Sequence, residues 1–332
     1  MKVAIKAIEY FLPDKVENGE TLKRDNPDWR IAEIEDKTGI KKRHISDENQ
    51  NALELARLSA LKLFEKGIQR ETIDFLILVT QSAGYALPTS ACILQEKLGL
   101  GKKCLAFDIN LGCSGFIYGF AVAGSLIEAG LADNGLLICS DTYTKYIGKK
   151  DRACRPIFSD GASATLLGRS DKDILGPFEF GTDGSGFYNL IVPSQTSGVP
   201  EPIINKASVG QLYMDGTKLL MFAMNMVPKC ISSLLSKSSK TIDDIDMYIF
   251  HQAGKVVIDN IKRRLKLPDE KVLINYDKIG NTVSSSIPIA LKQALEQNLI
   301  QDGDQIMLVG FGVGYSWGGC IVNWDKNSWE NL

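Results

Sequence analysis

The sequence predicts an α/β protein in which mixed β-sheets are covered by helices and in which this unit occurs twice. Two features of the chain support this prediction. Short apolar runs alternate with helix-length segments along the whole chain, as they do in α/β proteins. The second half of the chain then repeats the alternation of the first half, which indicates an internal duplication.

In the first half, apolar runs predict strands and two segments predict helices. The helices are expected near residues 90–98 and directly after Cys113. Charged Lys2 and Lys6 interrupt the first apolar run, so we interpret it as a strand and not as a signal peptide. The predicted strands lie in "MKVAIKAIEYF", "IDFLILVTQ", "CLAFDI", "GLLICSD" and "ASATLLG".

The second half shows the same order of segments. Helices are expected near residues 256–265 and 286–298. Between the halves, residues 178–216 are rich in glycine, serine and proline and show no periodicity, so we expect a long surface excursion that covers or lines a pocket. We place the two halves at residues 1–172 and 173–332. The predicted strands of the second half lie in "IDMYIFHQ", "KVLINY", "DQIMLVGFG" and "GGCIVNW".

A local alignment supports the duplication. Residues 103–135 align without a gap with residues 271–303, at a constant offset of 168 positions. The alignment places Asn281 on Cys113, each at a predicted junction between a strand and a helix. Two such halves packed around a pseudo-two-fold axis would bring both residues to one central site. The identical positions are Lys103, Leu105, Gly112, Glu128, Leu131 and Gly135, which match Lys271, Leu273, Gly280, Glu296, Leu299 and Gly303.

The composition excludes several classes of protein. An apolar content of 44% and a net charge of −2 are typical of a soluble globular protein and give no electrostatic footprint for nucleic acid. The longest apolar stretch, residues 115–127, is shorter than the roughly 20 residues that a membrane span needs. The seven cysteines show no CxxC spacing, so neither disulfides nor a metal site are expected. We expect a cytoplasmic protein with no nucleic-acid or membrane partner.

Cys113 lies in "NLGCSGF", between a predicted strand and a predicted helix. The N-terminus of a helix favours a thiolate, so we expect the thiol pKa to lie below its usual value of about 8.5. The flanking glycines leave space for a thioester, and a nearby backbone N–H could hold an oxyanion. These features favour a nucleophile over the alternative, a buried packing thiol.

Three further sites are candidates for chemistry. His251 ends the apolar strand "MYIF", where an imidazole can face a site, whereas His44 in "KKRHI" is expected at the surface. Asn281 precedes a helix, and capping of that helix is the ordinary role of such an asparagine. Only the alignment with Cys113 raises a functional role for it. The glycine-rich segment "GFGVGYSW" either supplies a backbone N–H to a reacting carbonyl or merely turns the chain.

Two basic clusters are expected to be solvated faces or, as the functional alternative, to bind a phosphate-bearing substrate or an acidic carrier protein. They comprise Lys37, Lys41, Lys42 and Arg43, and Lys262, Arg263, Arg264 and Lys266.

The segments "NLGCSGF", "HQAG", "GNTVSSSIP" and "GFGVGYSWGG", in this order, resemble the thiolase superfamily and most closely its β-ketoacyl-acyl-carrier-protein synthase III family. The segments "KTGIKKRHI", "PTSACILQEKLGL" and "IFSDGASATLL" support the likeness, which covers nearly the whole chain. The resemblance implies a five-layered αβαβα fold of two duplicated halves, and a homodimer. It implies no cofactor or metal, with acyl-coenzyme A or an acyl carrier protein as donor and a malonyl carrier protein as second substrate.

The resemblance also implies roles for individual residues. Cys113 would carry the acyl group, while His251 and Asn281 would hold the malonyl thioester as carbon dioxide leaves. The backbone N–H groups of Cys113 and Val313 would form the oxyanion hole.

Further assignments concern the substrate channel and the partners. Leu87 would cross to the other subunit and close the acyl pocket, where its small size predicts tolerance of a longer starter. We also expect Arg152, Lys37 and Gly216 to bind substrate. Arg263 and Arg264 would dock the carrier protein.

Several positions depart from the family pattern. The tryptophan that stacks on the adenine of coenzyme A falls on Glu33, and Trp29 is out of register. Gly254 and Val256 replace an asparagine and an arginine that contact the substrate arm and the carrier. These departures leave the priming donor open.

Three other functions are weighed against condensation. An acyltransferase of the same fold would pass the acyl group from Cys113 to an alcohol or amine, but Asn281 favours condensation. A non-catalytic subunit disagrees with the intact Cys, His and Asn set. A papain-like hydrolase has the same residue order but lacks the repeat.

Overall fold

The computed structural model describes residues 1–328, which form two α/β halves. The strands are β1 (Val3–Phe11), β2 (Val16–Asn18), β3 (Lys42–His44), β4 (Phe75–Val79), β5 (Leu105–Ile109), β6 (Asn134–Asp141), β7 (Gly161–Arg169), β8 (Leu175–Thr182), β9 (Leu190–Ile191), β10 (Tyr213–Met214), β11 (Met247–Phe250), β12 (Gln305–Gly312) and β13 (Ser316–Asn323).

The helices alternate with these strands. The α-helices are α1 (Gly19–Asp25), α2 (Ile31–Thr38), α3 (Ala52–Glu65), α4 (Ser90–Lys97), α5 (Gly115–Glu128), α6 (Gly216–Ser238), α7 (Lys255–Leu265), α8 (Tyr276–Ile279) and α9 (Ser286–Glu296). Short 3₁₀ helices lie at Arg70–Thr72, Tyr143–Tyr146, Gly184–Asn189, Glu201–Ile203, Asp269–Lys271, Val283–Ser285 and Lys326–Ser328.

Two sheets with matching strand order form the core. The first has the order β1-β7-β6-β4-β5, and the second has the order β8-β13-β12-β11. In both sheets the first two pairings are antiparallel and the pairings that follow are parallel. An isolated parallel bridge between Tyr248 and Val272 stands where the fifth strand of the second sheet would lie. The matching order is the structural counterpart of the repeat in the sequence.

The layers follow from which helices contact which sheet. Helices α5 and α9 contact strands of both sheets and so form the central layer. Helices α3 and α4 cover the outer face of the first sheet, and α6 and α7 cover the second. Helix α5 is apolar almost all round because it is buried between two sheets, with Phe116, Ile117 and Phe120 fully inaccessible to solvent. The result is the predicted five-layered αβαβα arrangement.

Helix α6 was not among the helices that we expected. Among residues 1–328 it is the one helix that is long and apolar enough to cross a membrane, judged by length and composition alone. In the structure it packs against β8, β12, β13 and α7 and buries Phe222, Val227 and Leu234. Asp215 caps it, with its side chain accepting a hydrogen bond from the Lys218 backbone N–H. This packing is that of a core helix.

The strand predicted in "KVLINY" is wrong beyond the bridge at Val272. The side chain of Gln252 takes the place of a neighbouring strand there: its Nε2 donates to the Leu273 carbonyl at 3.2 Å, and its Oε1 accepts from the Asn275 backbone N–H at 2.9 Å. Backbone groups that a ladder would have paired are therefore satisfied by one buried amide.

The excursion predicted from residue 178 begins too early. Strand β8 runs through this point and pairs with β13. Phe178 and Phe180 both pack against helix α5, on Phe120 and Tyr118 respectively, which anchors the strand. The remaining segment, residues 183–215, holds only short 3₁₀ helices and the two-stranded β9-β10 pair.

Candidate active site

One cavity of about 720 Å³ brings together residues from both halves. Its inner end is lined by Cys113, His251 and Asn281, whose side chains are all buried. Cys113 follows β5, His251 directly follows β11, and Asn281 follows α8. The cavity thus brings Asn281 and Cys113 together, as their alignment predicts, although Asn281 follows a short helix and not the strand that was expected before it.

Cys113 lies just before α5, beneath strand β12. A Cβ atom on Gly312 would lie 2.7 Å from the Cys113 Cβ, so only glycine allows β12 to pass this close. The backbone N–H groups of Cys113 and Val313 lie close enough to the Cys113 sulfur to lower its pKa. An oxygen held next to that sulfur would therefore face two backbone donors, which is the geometry of an oxyanion hole.

The protonation state of Cys113 differs from the sequence-based expectation. Burial, together with the nearby Asp141 carboxylate, raises the pKa of Cys113 to about 12, although the two backbone N–H groups lower it. The prediction of a depressed pKa is therefore wrong. The two backbone N–H groups favour the thiolate, but removing the sulfur from water outweighs them. In the free protein Cys113 is a neutral thiol.

His251 is held by side chains of the second half. Its Nδ1 lies 2.7 Å from Ser286 Oγ, and the edge of the Phe311 ring faces it with the two ring centroids 5.7 Å apart. Burial lowers the pKa of His251 to about 3. The imidazole is therefore neutral, and its Nε2 lies on the side of Asn281.

Asn281 does not cap a helix. Its Oδ1 accepts a hydrogen bond from the Val283 backbone N–H at 2.9 Å, which fixes the orientation of the amide. The other amide atom, Nδ2, lies 3.4 Å from His251 Nε2. Helix α9 begins after Ser285, and no side chain caps it. Two side-chain nitrogens therefore lie side by side in the cavity that Cys113 also lines.

A buried carboxylate that the sequence reasoning missed links the two halves. Asp141, at the end of β6, accepts hydrogen bonds from the Gln81 backbone N–H at 2.8 Å and from Ser284 Oγ at 2.5 Å. Burial raises the pKa of Asp141 to about 6. The signal in the sequence was a polar residue that ends a buried strand, the same signal that identified His251.

Comparison with known proteins identifies the family. The family model for 3-oxoacyl-[acyl-carrier-protein (ACP)] synthase III matches residues 107–184, and the model for its C-terminal part matches residues 235–324. The β-ketoacyl-[acyl-carrier-protein] synthase III of Caldanaerobacter subterraneus is 36% identical over 324 residues, which cover 95% of this chain and 96% of that protein. The chain belongs to the β-ketoacyl-acyl-carrier-protein synthase III family.

Other members of the synthase III family are similar to this chain over nearly its whole length. The Staphylococcus aureus (strain Newman) protein is 33% identical over 330 residues, covering 98% of this chain and all of that one. A solved 3-oxoacyl-(acyl-carrier-protein) synthase III superposes with a TM-score of 0.93 at 38% identity, covering 98% of this chain and 100% of the other. The Pseudomonas aeruginosa PAO1 enzyme superposes with a TM-score of 0.89 at 30% identity, covering 98% and 99%. These matches confirm the predicted family, fold class and enzyme class.

The predicted substrate residues fall into two groups. Arg152, Lys37 and Gly216 are exposed and line the mouth of the cavity, together with Glu33. Leu87 is 81% exposed and is not among the residues that line this cavity within the chain. Its predicted role depends on a second subunit.

Three positions that depart from the synthase III family pattern, Trp29, Gly254 and Val256, have different surroundings in the structure. Trp29 is buried, with 8% of its surface accessible, and does not line the cavity that holds Cys113. Gly254 and Val256 both line the cavity.

The basic residues divide in a similar way. Arg263 and Arg264 are exposed on α7. Arg43 is fully buried, lies 3.5 Å from Glu17 and donates a hydrogen bond to the Arg155 carbonyl, so the prediction of a solvated face is wrong for this residue. His44 is half-buried, with Nδ1 2.7 Å from the Pro13 carbonyl, which ties it to the fold. Within residues 1–328 no cluster of three or more His, Cys, Asp or Glu could hold a metal ion.

Proposed function

We propose that the protein joins an acyl group carried on Cys113 to a malonyl thioester, with loss of carbon dioxide, and releases a 3-oxoacyl thioester. The observation that carries this proposal is the pair of neutral side-chain nitrogens, Asn281 Nδ2 and His251 Nε2, in the same cavity that the buried Cys113 lines. A simple acyl transfer needs the cysteine and an oxyanion hole, whereas decarboxylation also needs donors for a second oxyanion.

The first step loads the enzyme. The Cys113 sulfur attacks the carbonyl carbon of an acyl thioester, and the N–H groups of Cys113 and Val313 stabilise the oxyanion. The original C–S bond breaks, and the leaving thiolate takes the proton that Cys113 gives up. The acyl group is now a thioester of Cys113.

The second step generates the carbon nucleophile. The malonyl thioester carbonyl accepts hydrogen bonds from Asn281 and His251 while the bond to the carboxylate breaks, and the electron pair moves into an enolate. With the Ser286 hydroxyl donating to Nδ1, the ring proton lies on Nε2, which is the tautomer that this step requires. A neutral donor pair suits an enolate that must remain reactive.

The third step forms the product. The enolate carbon attacks the carbonyl of the acyl-Cys113 thioester, the C–S bond to Cys113 breaks, and the sulfur is reprotonated from solvent. The proposed products are the 3-oxoacyl thioester and carbon dioxide.

An Asn281→Ala variant tests the proposal. We expect acyl-Cys113 still to form, as seen by intact mass, while carbon dioxide release from a malonyl thioester falls about 10²–10³-fold because one oxyanion donor is lost. The matched control is Asn275→Ala, which removes a buried asparagine that bonds Gln293 outside the cavity. If wild type releases no carbon dioxide but passes its acyl group to an alcohol or amine, the acyltransferase replaces the condensing enzyme.

The partners remain proposals that the surface supports. Exposed Arg263 and Arg264 fit docking of an acidic carrier protein. The related enzymes are named for their acyl carrier protein. Strand β5 lies at the edge of the first sheet with Leu105 exposed, and Leu87 is exposed as well, which fits a homodimer joined at this edge. Coenzyme A as priming donor and the cytoplasmic location stay predictions.

A further inference from the structure

Two serines that the mechanism does not use form a contact between the halves, close to the nucleophile. Ser114 directly follows Cys113, and Ser316 begins β13, just after the turn that carries Val313. Both serines are buried, with 1% and 3% of their surface accessible. Their hydroxyl oxygens lie 2.7 Å apart, although 202 residues separate them in the chain. This contact therefore joins the two segments whose backbone N–H groups lower the pKa of Cys113.

The direction of the hydrogen bonds follows from the number of hydrogens in this pair. Ser316 Oγ donates its single hydrogen to the Val313 carbonyl at 2.8 Å. Ser114 Oγ must therefore be the donor to Ser316 Oγ. The two bonds form a short chain from Ser114 through Ser316 to Val313. The chain begins at the residue after the nucleophile and ends on the residue that offers the second backbone donor.

Ser114 makes this contact in place of its ordinary role. It is the N-cap residue of α5, where a serine side chain usually accepts a hydrogen bond from a backbone N–H of the first turn. Among the described residues, Ser114 makes no such side-chain bond. Its hydroxyl is directed to the other half and not to its own helix, which indicates that the contact with Ser316 is the part this side chain plays.

Close backbone contacts surround the serine pair. A Cβ atom on Gly112 would lie 2.9 Å from Val313 Cγ1, and one on Gly310 would lie 2.8 Å from both the Cys113 carbonyl oxygen and Ser114 Cα. The nucleophile loop and the end of β12 are thus packed together before and after Cys113. Steric contact limits how near the two segments can come, whereas a directed hydrogen bond limits how far they can separate.

We propose that Ser114 and Ser316 are positioning residues that hold the backbone N–H groups of Cys113 and Val313 at the spacing that one oxyanion needs. This inference rests on the proposed function, since acyl loading of Cys113 is the step that first uses these donors. A donor is effective when it lies about 2.7–3.1 Å from the oxyanion, so a small shift of the Val313 turn lowers the rate.

The release of carbon dioxide provides an internal reference for this proposal. On the proposed mechanism that step uses the side chains of Asn281 and His251, and neither is bonded to the serine pair. Loss of the pair should therefore slow acyl loading and leave decarboxylation of a malonyl thioester nearly as fast as in wild type. A serine pair that only stabilised the fold would affect both activities together.

The test measures the rate of acyl-Cys113 formation by rapid quench and intact mass, with acetyl-coenzyme A and an acetylated carrier protein as probes and no malonyl thioester present. Ser316→Ala should lower the maximal loading rate about 10–100-fold, because the Val313 N–H remains but is displaced. The half-saturating probe concentration should change less than about threefold, as expected when only transition-state stabilisation is lost. Ser316→Thr keeps the hydroxyl and should recover most of the rate. An equal loss in the Ala and Thr variants would overturn the proposal.

A double-mutant cycle tests whether the two hydroxyls act in series. Ser114→Ala breaks only the first bond and should slow loading about 3–10-fold, the equivalent of one net hydrogen bond. The double variant Ser114→Ala/Ser316→Ala should load as Ser316→Ala does, because Ser114 acts only through Ser316. Losses that multiply would refute the chain of hydrogen bonds. The double variant leaves neither hydroxyl buried without a partner, so it replaces a single variant that does not fold, and wild-type loading in it refutes the proposal.

Ser59→Ala is the matched control. It removes an equally buried hydroxyl that donates to the Ala56 carbonyl at 2.8 Å in the outer helix α3, and loading should stay at the wild-type rate. Carbon dioxide release from malonyl-coenzyme A is measured in every variant, and in Ser316→Ala it should fall less than about threefold. A parallel fall of both activities in Ser316→Ala would overturn the positioning role.

The failure of this inference and that of the proposed function give different results. A wild type that forms no acyl-Cys113 with either probe refutes the proposed function and this inference with it. A wild type that loads Cys113 but releases no carbon dioxide refutes condensation and leaves the serine pair to be judged by loading alone. A wild type that loads and condenses, with loading unchanged in Ser316→Ala, refutes the serine pair alone.

Discussion

The loop that carries Cys113 and the loop that carries Asn281 occupy matching places in the two halves. Each precedes a helix of the central layer, α5 or α9. The surroundings differ, because Cys113 faces backbone N–H groups whereas Asn281 lies among Ser284, Ser286 and His251. The two halves thus share one backbone arrangement but differ in their side chains. One half supplies a nucleophile, and the other supplies hydrogen-bond donors.

The edges of the two sheets differ in the same way. Strand β5 is a full strand with a free edge, whereas its counterpart is reduced to the bridge at Val272 by the side chain of Gln252. Of these two matching edges, only that of the nucleophile-bearing half is formed by a continuous strand.

The largest effect is expected from removing the nucleophile. Cys113→Ala should abolish acyl loading, with a fall of about 10⁴-fold or more in condensation, because the covalent intermediate is lost. Carbon dioxide release from a malonyl thioester should persist, since its donors lie in the other half. Intact mass and trapping of released carbon dioxide measure the two activities, and their loss together would show that the halves do not divide the chemistry.

The contact that joins the halves can be broken at Asp141. Asp141→Ala should lower the free energy of unfolding by about 3–5 kcal/mol, because several buried donors lose their acceptor. Denaturant titration measures the loss. The control is Asp133→Ala, which removes an exposed ion pair with Arg169 and should cost about 1 kcal/mol or less.

The pH dependence of this variant has a definite sign. Burial raises the pKa of Asp141 from 3.8 to about 6, so the folded protein binds the proton more tightly than the unfolded chain. The contribution of Asp141 to stability is therefore largest below about pH 4 and declines as the pH rises to about 6. The difference between wild type and Asp141→Ala should shrink across this window, and a difference that grows would contradict the assignment.

The neutral thiol predicts that the alkylation rate of Cys113 rises about a hundredfold from about pH 7 to pH 9. Because the pKa of Cys113 is raised to about 12, alkylation by iodoacetamide should accelerate about tenfold per pH unit between about pH 7 and pH 9. Peptide mapping in a Cys92→Ser background measures it, since Cys92 is exposed and reacts independently. In denaturant the profile should level off near the ordinary thiol pKa of about 8.5. If the alkylation rate of the folded protein reaches a plateau below pH 8, the depressed thiol pKa expected from the sequence would be supported instead.

The smallest effect concerns the support of His251. Ser286→Ala removes the hydrogen bond to Nδ1 and should lower carbon dioxide release about 3–10-fold, since a net hydrogen bond contributes about 1 kcal/mol. Loading of Cys113 should change little. The neighbouring Ser285→Ala, whose hydroxyl bonds the Thr282 carbonyl, is the control. Equal losses in both variants would indicate general damage to the loop.

The sequence was sufficient for the fold class and the family, and both predictions are confirmed. Apolar runs located most strands of the two sheets, and the offset of 168 positions in the sequence placed Asn281 opposite Cys113. Local patterns carried these predictions, because a buried strand or a central helix leaves a continuous apolar trace. The catalytic roles of the three residues stay predictions.

What the sequence did not predict depends on distant partners. Asp141 owes its role to Gln81 and Ser284, which lie 60 and 143 residues away in the chain. Arg43 is buried because it pairs with Glu17 and donates a hydrogen bond to the Arg155 carbonyl. The two lysines that precede it in the sequence are exposed. The raised pKa of Cys113 likewise reflects β12, which covers the sulfur from the other half.

The cover that β12 places over Cys113 has a consequence during synthesis of the chain. All strands of the first sheet have been synthesised once Arg169 has been added, whereas Gly310 and Gly312 are added only with β12, in the second half. Throughout that interval Cys113 has been synthesised but strand β12, which covers it, has not. The growing chain therefore passes through a period in which this sulfur is open to oxidants and electrophiles, and the same strand that completes the oxyanion hole ends that exposure.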